Sequence, residues 1–492
     1  MNVYVLVIMA YFAVVVAVSM YTKKVASRSA ADYLVAGRNM GLFVCGVVVA
    51  SEWLGGLSTI GVSEQAFRLG SLEPILYNLA TAIGMVIIGF TVASHYRVKK
   101  VSTVSEMVGS IFGPTTRHIS AAAFLIAYLT LAYVELQTCA SVMSPLFGLN
   151  WPMAVIISAA IITAYTYVGG MHALAIAAIL YLATRYLGLG TAFVIGLGKV
   201  GGFAGLQQKL IAVGGPADYY NPFAVSLSSA FSLLLGGILG GMAAQASIQP
   251  IFAAKDATTA KRASVLASLF IAPYGLMTAY LGLMARTGMF YDPKTIVDAK
   301  TILPKLLTTP EFIPPILGGL ALAGMLAAIL STMGPVNFAI VTIAAKDIYH
   351  GFINKDADDQ KILAVARKLV ILVSLATIPL AIFIRGAILE SGYVSYAIRA
   401  IGAIVILFGI YKCQWVSSLA ASLAFTIGTA ATLGCVVANR LHWFTVDKTY
   451  GAVATTLLVL ILVYVYERLT GKNRVDPTAK KRSTQEADYP VA

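Results

Sequence analysis

The sequence predicts an all-α polytopic membrane protein with about thirteen transmembrane helices. Three observations lead to that fold class. Of 492 residues, 59% are hydrophobic and only 11% are charged, against roughly 25% charged in a soluble globular domain. The mean hydropathy is +0.83. Apolar runs of about 17 residues or more, enough to cross the hydrocarbon core as a helix, recur along the whole chain. These runs lack the period-two alternation of outer-membrane strands, and backbone groups in lipid must bond internally, so the runs read as helices.

In chain order the spans fall at 3–21, 41–67, 75–94, 119–143, 151–168, 172–197, 222–249, 264–286, 314–343, 366–384, 394–411, 415–437 and 449–466. The shortest linkers, 169–171 and 412–414, are the least defined, and merging across either changes the count by one. Span 1 has no basic residue before it and is followed by Lys23, Lys24, Arg28 and Arg38. A cleavable signal peptide carries its charge on the other side, so span 1 reads as a retained helix with its N-terminus outside. Thirteen spans then put the C-terminus in the cytoplasm of an inner-membrane protein. Of the 35 Lys and Arg, 23 lie in the segments this topology makes cytoplasmic: 22–40, 95–118, 250–263, 344–368, 412–414 and 467–492. The net charge of +14 is explained by topology and gives no support for nucleic-acid binding. Residues 1–466 read as one transmembrane domain, and 467–492 as a basic, disordered cytoplasmic tail. The outward loops near 198–221 and 287–313 have room for small interfacial helices. Cys45, Cys139, Cys413 and Cys435 sit in or beside apolar spans at spacings that suggest neither a metal site nor a disulfide framework.

Two spans carry clusters of glycine and polar residues. Span 2 contains ASEWLGGLSTIG (50–61), and span 7 contains LLLGGILGGMAAQASIQ (233–249). Glycines of this kind also serve close helix approach, but matched clusters in two halves point to broken helices whose backbone groups bind ions and substrate near the midplane. Five spans separate the cluster starts, so helices 2–6 and 7–11 form two five-helix repeats. An odd repeat length inserts the halves with opposite topology, which is the arithmetic of an inverted-repeat secondary transporter.

The stretches WLGGLSTIG (53–61), YTYVGG (165–170), QPIFAAKDATTAKRA (249–263) and AAILSTMGPVNFAIVTIAAKDIY (327–349), in this order on these spans, resemble the solute:sodium symporter family. The likeness runs from span 1 to span 13, and the Trp-x-Gly-Gly of span 2 is most similar to the branch that includes choline transporters. The resemblance implies a LeuT-like five-plus-five core. It also implies one sodium as coupling ion, bound by the carbonyls of Ser51 and Leu54 in span 2 and by Ala328, Ser331 and Thr332 in span 9. A one-residue slip would put Ala50 and Trp53 in place of the first two. Ala328, Ser331 and Thr332 stand at i, i+3 and i+4 on one helix face and offer the neutral oxygens a hard cation prefers; the two hydroxyls also suit bonds to the preceding turn or a neighbouring helix. The chain departs from the family elsewhere. The usual Thr-Asp pair of span 6 reads Ala177-Ala178, and the usual Asp-Gln and Gln-Arg pairs of span 7 read Ala244-Gln245 and Gln249-Pro250. A second coupled sodium and a choline cage are therefore not expected.

Ionisable residues at membrane depth are costly and are functional candidates by default. Glu52, Glu64, Glu135, Arg185 and Arg399 are the five here. Glu52 and Trp53, in the break of span 2 with Gly55 and Gly56, are the first candidates for substrate contact. Glu135, Gln137, Gln245 and Arg399 complete the set. Glu64 reads as interfacial. Arg185 and Arg399 suit either an anionic substrate group or a structural ion pair, for instance with Glu135. Trp151, Trp415 and Trp443 read as interfacial belt residues, and His172 as structural. No nucleotide-binding glycine loop or metal cluster suggests an enzyme, and no cofactor beyond the sodium is implied. The expected function is sodium-coupled symport of a small polar organic solute by alternating access, with a proton-coupled or uncoupled carrier, or a non-transporting solute sensor, as alternatives. Single-cysteine labelling tests the topology. A cysteine at position 480 should resist an impermeant reagent in intact cells and react once the membrane is opened; labelling in intact cells would contradict it.

Overall fold

The structure is a computed structural model that describes residues 3–22, 39–99, 101–296, 298–443 and 445–471. Lys23, Lys24, Arg28, Arg38 and the tail from 472 lie outside the described residues, and the side chains of 168–176, His172 among them, are not described. Among the described residues, nine helices are long and apolar enough to span a membrane, and one bent pair makes a tenth span. The helices Val3–Thr22 and Ile75–Thr91 and the first part of the Trp151–Val200 helix carry the remaining apolar segments among the described residues.

Of the two uncertain linkers, one is real. Lys412 ends span 11 (Ile388–Tyr411), and a single 3-10 turn, Cys413–Trp415, leads to span 12 (Ser418–Arg440). The other is not a break: helical backbone runs unbroken from Trp151 to Val200 through Gly169 and Gly170. The outward loops hold the helices Gly202–Ala212 and Ile302–Leu307. A further short helix, Val104–Phe112, precedes span 4 (Pro114–Phe147). It is capped by Thr103, whose hydroxyl accepts from Glu106 N at 2.9 Å while Glu106 returns a bond to Ser102 N.

Both predicted breaks are present. Span 2 runs Leu42–Trp53, turns by 54° and resumes as Leu57–Leu69. Span 7 runs Leu227–Met242 and resumes as Gln245–Phe252. Span 8 (Ala257–Arg286) and span 3 (Ile75–Thr91) pack against these broken helices. Span 4, the Trp151–Val200 helix, span 9 (Pro315–Ile343, wound on to Ile353) and span 10 (Asp359–Phe383) pack against one another. The far end of span 9 is tied to span 4 and the loop before it, because Asp347 Oδ1 accepts from Arg117 Nε at 2.8 Å and from Thr103 Oγ1 at 3.1 Å.

Span 6 (Ala177–Val200) lies along span 9 with backbones in contact. A Cβ on Gly324 would sit 2.9 Å from Arg185 Cα, and one on Gly188 would sit 2.5 Å from the Leu320 carbonyl. Helix association in lipid relies on such close approach. Gly324→Ala should therefore lower stability by about 1–3 kcal/mol, as overpacking does. Gly434→Ala, where an added Cβ meets nothing within 4 Å, should be neutral or slightly stabilising. Thermal unfolding of the two variants in one detergent checks the contrast.

Candidate functional site: the break in span 2

Bending span 2 leaves the carbonyls of Ser51, Glu52, Trp53 and Leu54 without helical donors, and no water is available in the bilayer core to replace them. Each finds a side chain. Trp53 O accepts from Ser58 Oγ at 2.8 Å, and Glu52 O from Thr332 Oγ1 at 2.5 Å. Leu54 O accepts from Arg185 Nη1 at 2.7 Å. Ser51 O accepts from Arg185 Nη1 at 3.1 Å and lies 2.8 Å from Ser331 Oγ. On the other side of the break, the Gly56 and Leu57 N–H groups donate to Glu135 Oε2 and Oε1 at 3.0 and 3.3 Å.

Ser51 O lies beside Ser331 of span 9, Glu52 O beside Thr332, and Leu54 O beside Arg185 of span 6. The Arg185 guanidinium stands among them, donating also to Ser51 Oγ at 2.9 Å and Ser331 Oγ at 2.6 Å. Ser331 Oγ lies 2.7 Å from Ala328 O, and Thr332 is committed to Glu52 O. Sequence leaves open whether Arg185 meets a substrate anion or a carboxylate such as Glu135; its hydrogen-bond partners among the described residues are neutral oxygens.

Several candidate substrate contacts bond within the protein. Glu135 is a helix cap: it satisfies the two N–H groups that open the second half of span 2, with Thr138 bonded to its carbonyl at 2.6 Å. Gly55 and Gly56 allow close packing of span 2 against spans 9 and 4. A Cβ on Gly55 would lie 2.1 Å from Thr332 Oγ1, and one on Gly56 would lie 2.2 Å from Thr138 Oγ1. Gln137 caps the end of span 10, donating to Ala381 O at 3.0 Å and also to Ile384 O. Gln245 holds the loop before span 4, accepting from Val104 N at 2.7 Å and donating to Ser102 O at 3.0 Å. Glu64, read as interfacial, is fully buried; it accepts from Ile388 N at 3.0 Å at the start of span 11 and pairs with Arg68 at 3.0 Å.

Glu52, Trp53 and Arg399 do come together, where the two breaks meet. Trp53 packs against Gly241 of span 7, its ring carbons 3.6 Å from where a Cβ would be, and Glu52 accepts from Ser247 Oγ beyond the span 7 break. Arg399 sits mid-span 11 with its guanidinium 4.1 Å from the Tyr396 ring centre, 5.6 Å from Tyr128 and 5.9 Å from Trp53. It is buried, within electrostatic reach of Glu52. The guanidinium lies within bonding reach of the Tyr128 and Tyr396 hydroxyls, while Nε and Nη2 of Arg399 make no hydrogen bond of good geometry. Tyr396 also bonds the Tyr77 hydroxyl at 2.6 Å and stacks on Tyr393 at 5.0 Å. Ser247 belongs to the polar cluster of span 7 that the sequence shows, whereas Tyr128, Tyr77 and Tyr396 are not distinguished by the sequence. Aromatic residues in apolar spans carry no positional signal of their own, and only the placement of Arg399 could have drawn attention to Tyr396, three residues before it.

The described residues thus form an all-helical bundle in which two broken helices bring polar and aromatic groups together. The sodium:solute symporter family matches residues 33–428. The chain belongs to that family. It is 25% identical over 356 residues to the human high affinity choline transporter 1, covering 68% of this chain and 59% of that protein. The chain thus spans about three fifths of the length of that relative. It is 24% identical over 369 residues to the uncharacterized symporter YwcA of Bacillus subtilis (strain 168), covering 73% and 71%. A Na+-coupled sialic acid symporter, substrate-bound and outward-open, superposes with TM-score 0.80 at 16% identity over 95% of this chain and 98% of that one. Mhp1, a nucleobase–cation symporter in a closed conformation with bromovinylhydantoin bound, gives TM-score 0.55 at 14% identity over 89% and 94%. These two likenesses establish the fold.

The capping role of Glu135 is testable. Glu135→Ala leaves two buried N–H groups unpaired and should cost about 1–3 kcal/mol of stability for each, whereas Glu135→Gln keeps an acceptor and should cost less. Unfolding in detergent, paired with a solute-affinity measurement, decides it. A loss of affinity at unchanged stability would return Glu135 to the substrate site.

Proposed function

We propose that this protein is a symporter that carries a small organic carboxylate into the cell down a sodium gradient by alternating access, with its N-terminus outside and its C-terminus in the cytoplasm. The solute sits where the breaks of spans 2 and 7 meet. The observation that carries this reading is the state of Arg399. A buried guanidinium with two nitrogens that make no hydrogen bond of good geometry is costly in a low-dielectric interior, and those two positions match the two oxygens of a carboxylate. Trp53, Tyr128 and Tyr396 supply flat apolar faces around it, suited to the carbon skeleton of a small solute. Glu52, close to Arg399 and bonded to Ser247, balances the arginine charge while the site is empty and offers an acceptor to a solute that also carries a donor.

Uptake into proteoliposomes tests the proposal. A panel of small carboxylates, their amides and quaternary amines is offered with and without an inward sodium gradient. Carboxylates should be accumulated and their amides should not. Arg399→Gln should raise the half-saturating solute concentration roughly ten-fold to more than a hundred-fold, the value of a lost charge-assisted bond. Equal uptake of acids and amides, or an unchanged Arg399→Gln, would contradict it.

A further inference from the structure

We propose that Arg185 is a tethered cation at the position between spans 2 and 9, and that its guanidinium does there what a bound sodium ion would otherwise do. The proposal rests on the transporter reading above and concerns one site within it. An arginine side chain has five N–H donors, and five acceptors surround this one. Nε donates to the carbonyl of Tyr181, one turn back in its own helix, at 3.1 Å. Nη1 donates to Ser51 O and Leu54 O, and Nη2 to Ser51 Oγ and Ser331 Oγ. No carboxylate is among these partners. The charge is held by neutral carbonyl and hydroxyl oxygens, which is also how a hard monovalent cation is held in a site without acidic ligands.

Three features of the chain fit this role. Gly324 and Gly188 let span 6 lie against span 9, so the Arg185 backbone starts close enough for its side chain to reach both span 9 and the break in span 2. The bond to Tyr181 O directs the side chain along span 6. Seven residues before Arg185, on the same face of span 6, stands Ala178, whose carbonyl accepts from Ser51 Oγ at 3.3 Å; no acidic side chain stands there to neutralise the guanidinium or to favour an added cation. Arg185 is fully buried. A sodium ion entering these oxygens would have to share them with a positive charge at contact distance in a low-dielectric setting, where like charges repel strongly. The link from the broken helix to span 9 is therefore independent of sodium concentration, and the gradient couples to transport at another position.

Direct sodium binding to the purified protein tests the assignment. Thermal stabilisation is titrated with sodium chloride against choline chloride at constant ionic strength, for wild type, Ser331→Ala, Arg185→Ala and the double variant. Ser331→Ala should leave the half-saturating sodium concentration within about three-fold of wild type; a larger rise, the loss expected for a removed hydroxyl ligand, would overturn the proposal. Arg185→Ala vacates the oxygens and should gain a saturable stabilisation by sodium that disappears in the double variant. A folded Arg185→Ala without that gain would also count against it. Should Arg185→Ala not fold, the comparison of wild type with Ser331→Ala remains decisive. A wild type that shows no response to sodium would support the tethered cation while removing sodium from the proposed function, so the two readings fail separately.

Discussion

Four backbone carbonyls in the middle of span 2, Ser51 to Leu54, need donors that lipid cannot provide, and the surrounding helices are arranged to supply them. Span 9 brings Ser331 and Thr332, span 6 brings Arg185, and Ser58 reaches back within span 2. Span 4 caps the exposed N–H groups with Glu135. A break at membrane depth is tolerated only when its backbone groups are satisfied within the protein. Each of these side chains is thus fixed in place by the same bend. The second break, in span 7, is met in a similar way: Tyr96 OH donates to Met242 O at 3.2 Å, and Ala246 N donates to Tyr128 OH at 3.1 Å. Tyr128 then faces Arg399, so the support of one break and the wall of the solute site are partly the same residue.

The two buried arginines divide the work by how fully they are bonded. Arg185 has a partner for every donor and joins three helices. Arg399 stands among aromatic rings with two nitrogens that make no hydrogen bond of good geometry. A saturated guanidinium holds structure; an unsaturated one, retained at the meeting of two broken helices, is available to a ligand. Sequence offered the same alternatives for both residues, because a lone arginine in an apolar span says nothing about what stands opposite it.

The legible parts of the sequence were those set by composition and by short-range spacing. Thirteen apolar segments, two glycine-rich breaks and the i, i+3, i+4 face of Ala328, Ser331 and Thr332 all follow from residues within a few turns of one another. Gly169 and Gly170 suggest a stop, but helical hydrogen bonding outweighs glycine's low propensity and the backbone stays helical between the apolar segments 151–168 and 172–197. Glu135, Gln137 and Gln245 suggest substrate contact because a polar residue in an apolar span signals function. Each satisfies backbone groups of a helix or loop distant in sequence, 244 residues away for Gln137 and Ala381. Glu64 was read as interfacial from its place near a span end, yet it caps a helix 324 residues later. Such long-range capping leaves no local pattern to read.

The most direct measurement is a high-resolution structure of the protein in lipid nanodiscs at saturating sodium. Side-chain density should run from Arg185 to the oxygens of Ser51, Leu54 and Ser331, with no separate ion among them. A discrete ion bonded to Ser51, Leu54, Ala328, Ser331 and Thr332, with Arg185 turned away, would contradict the tethered cation on which this reading of the break depends.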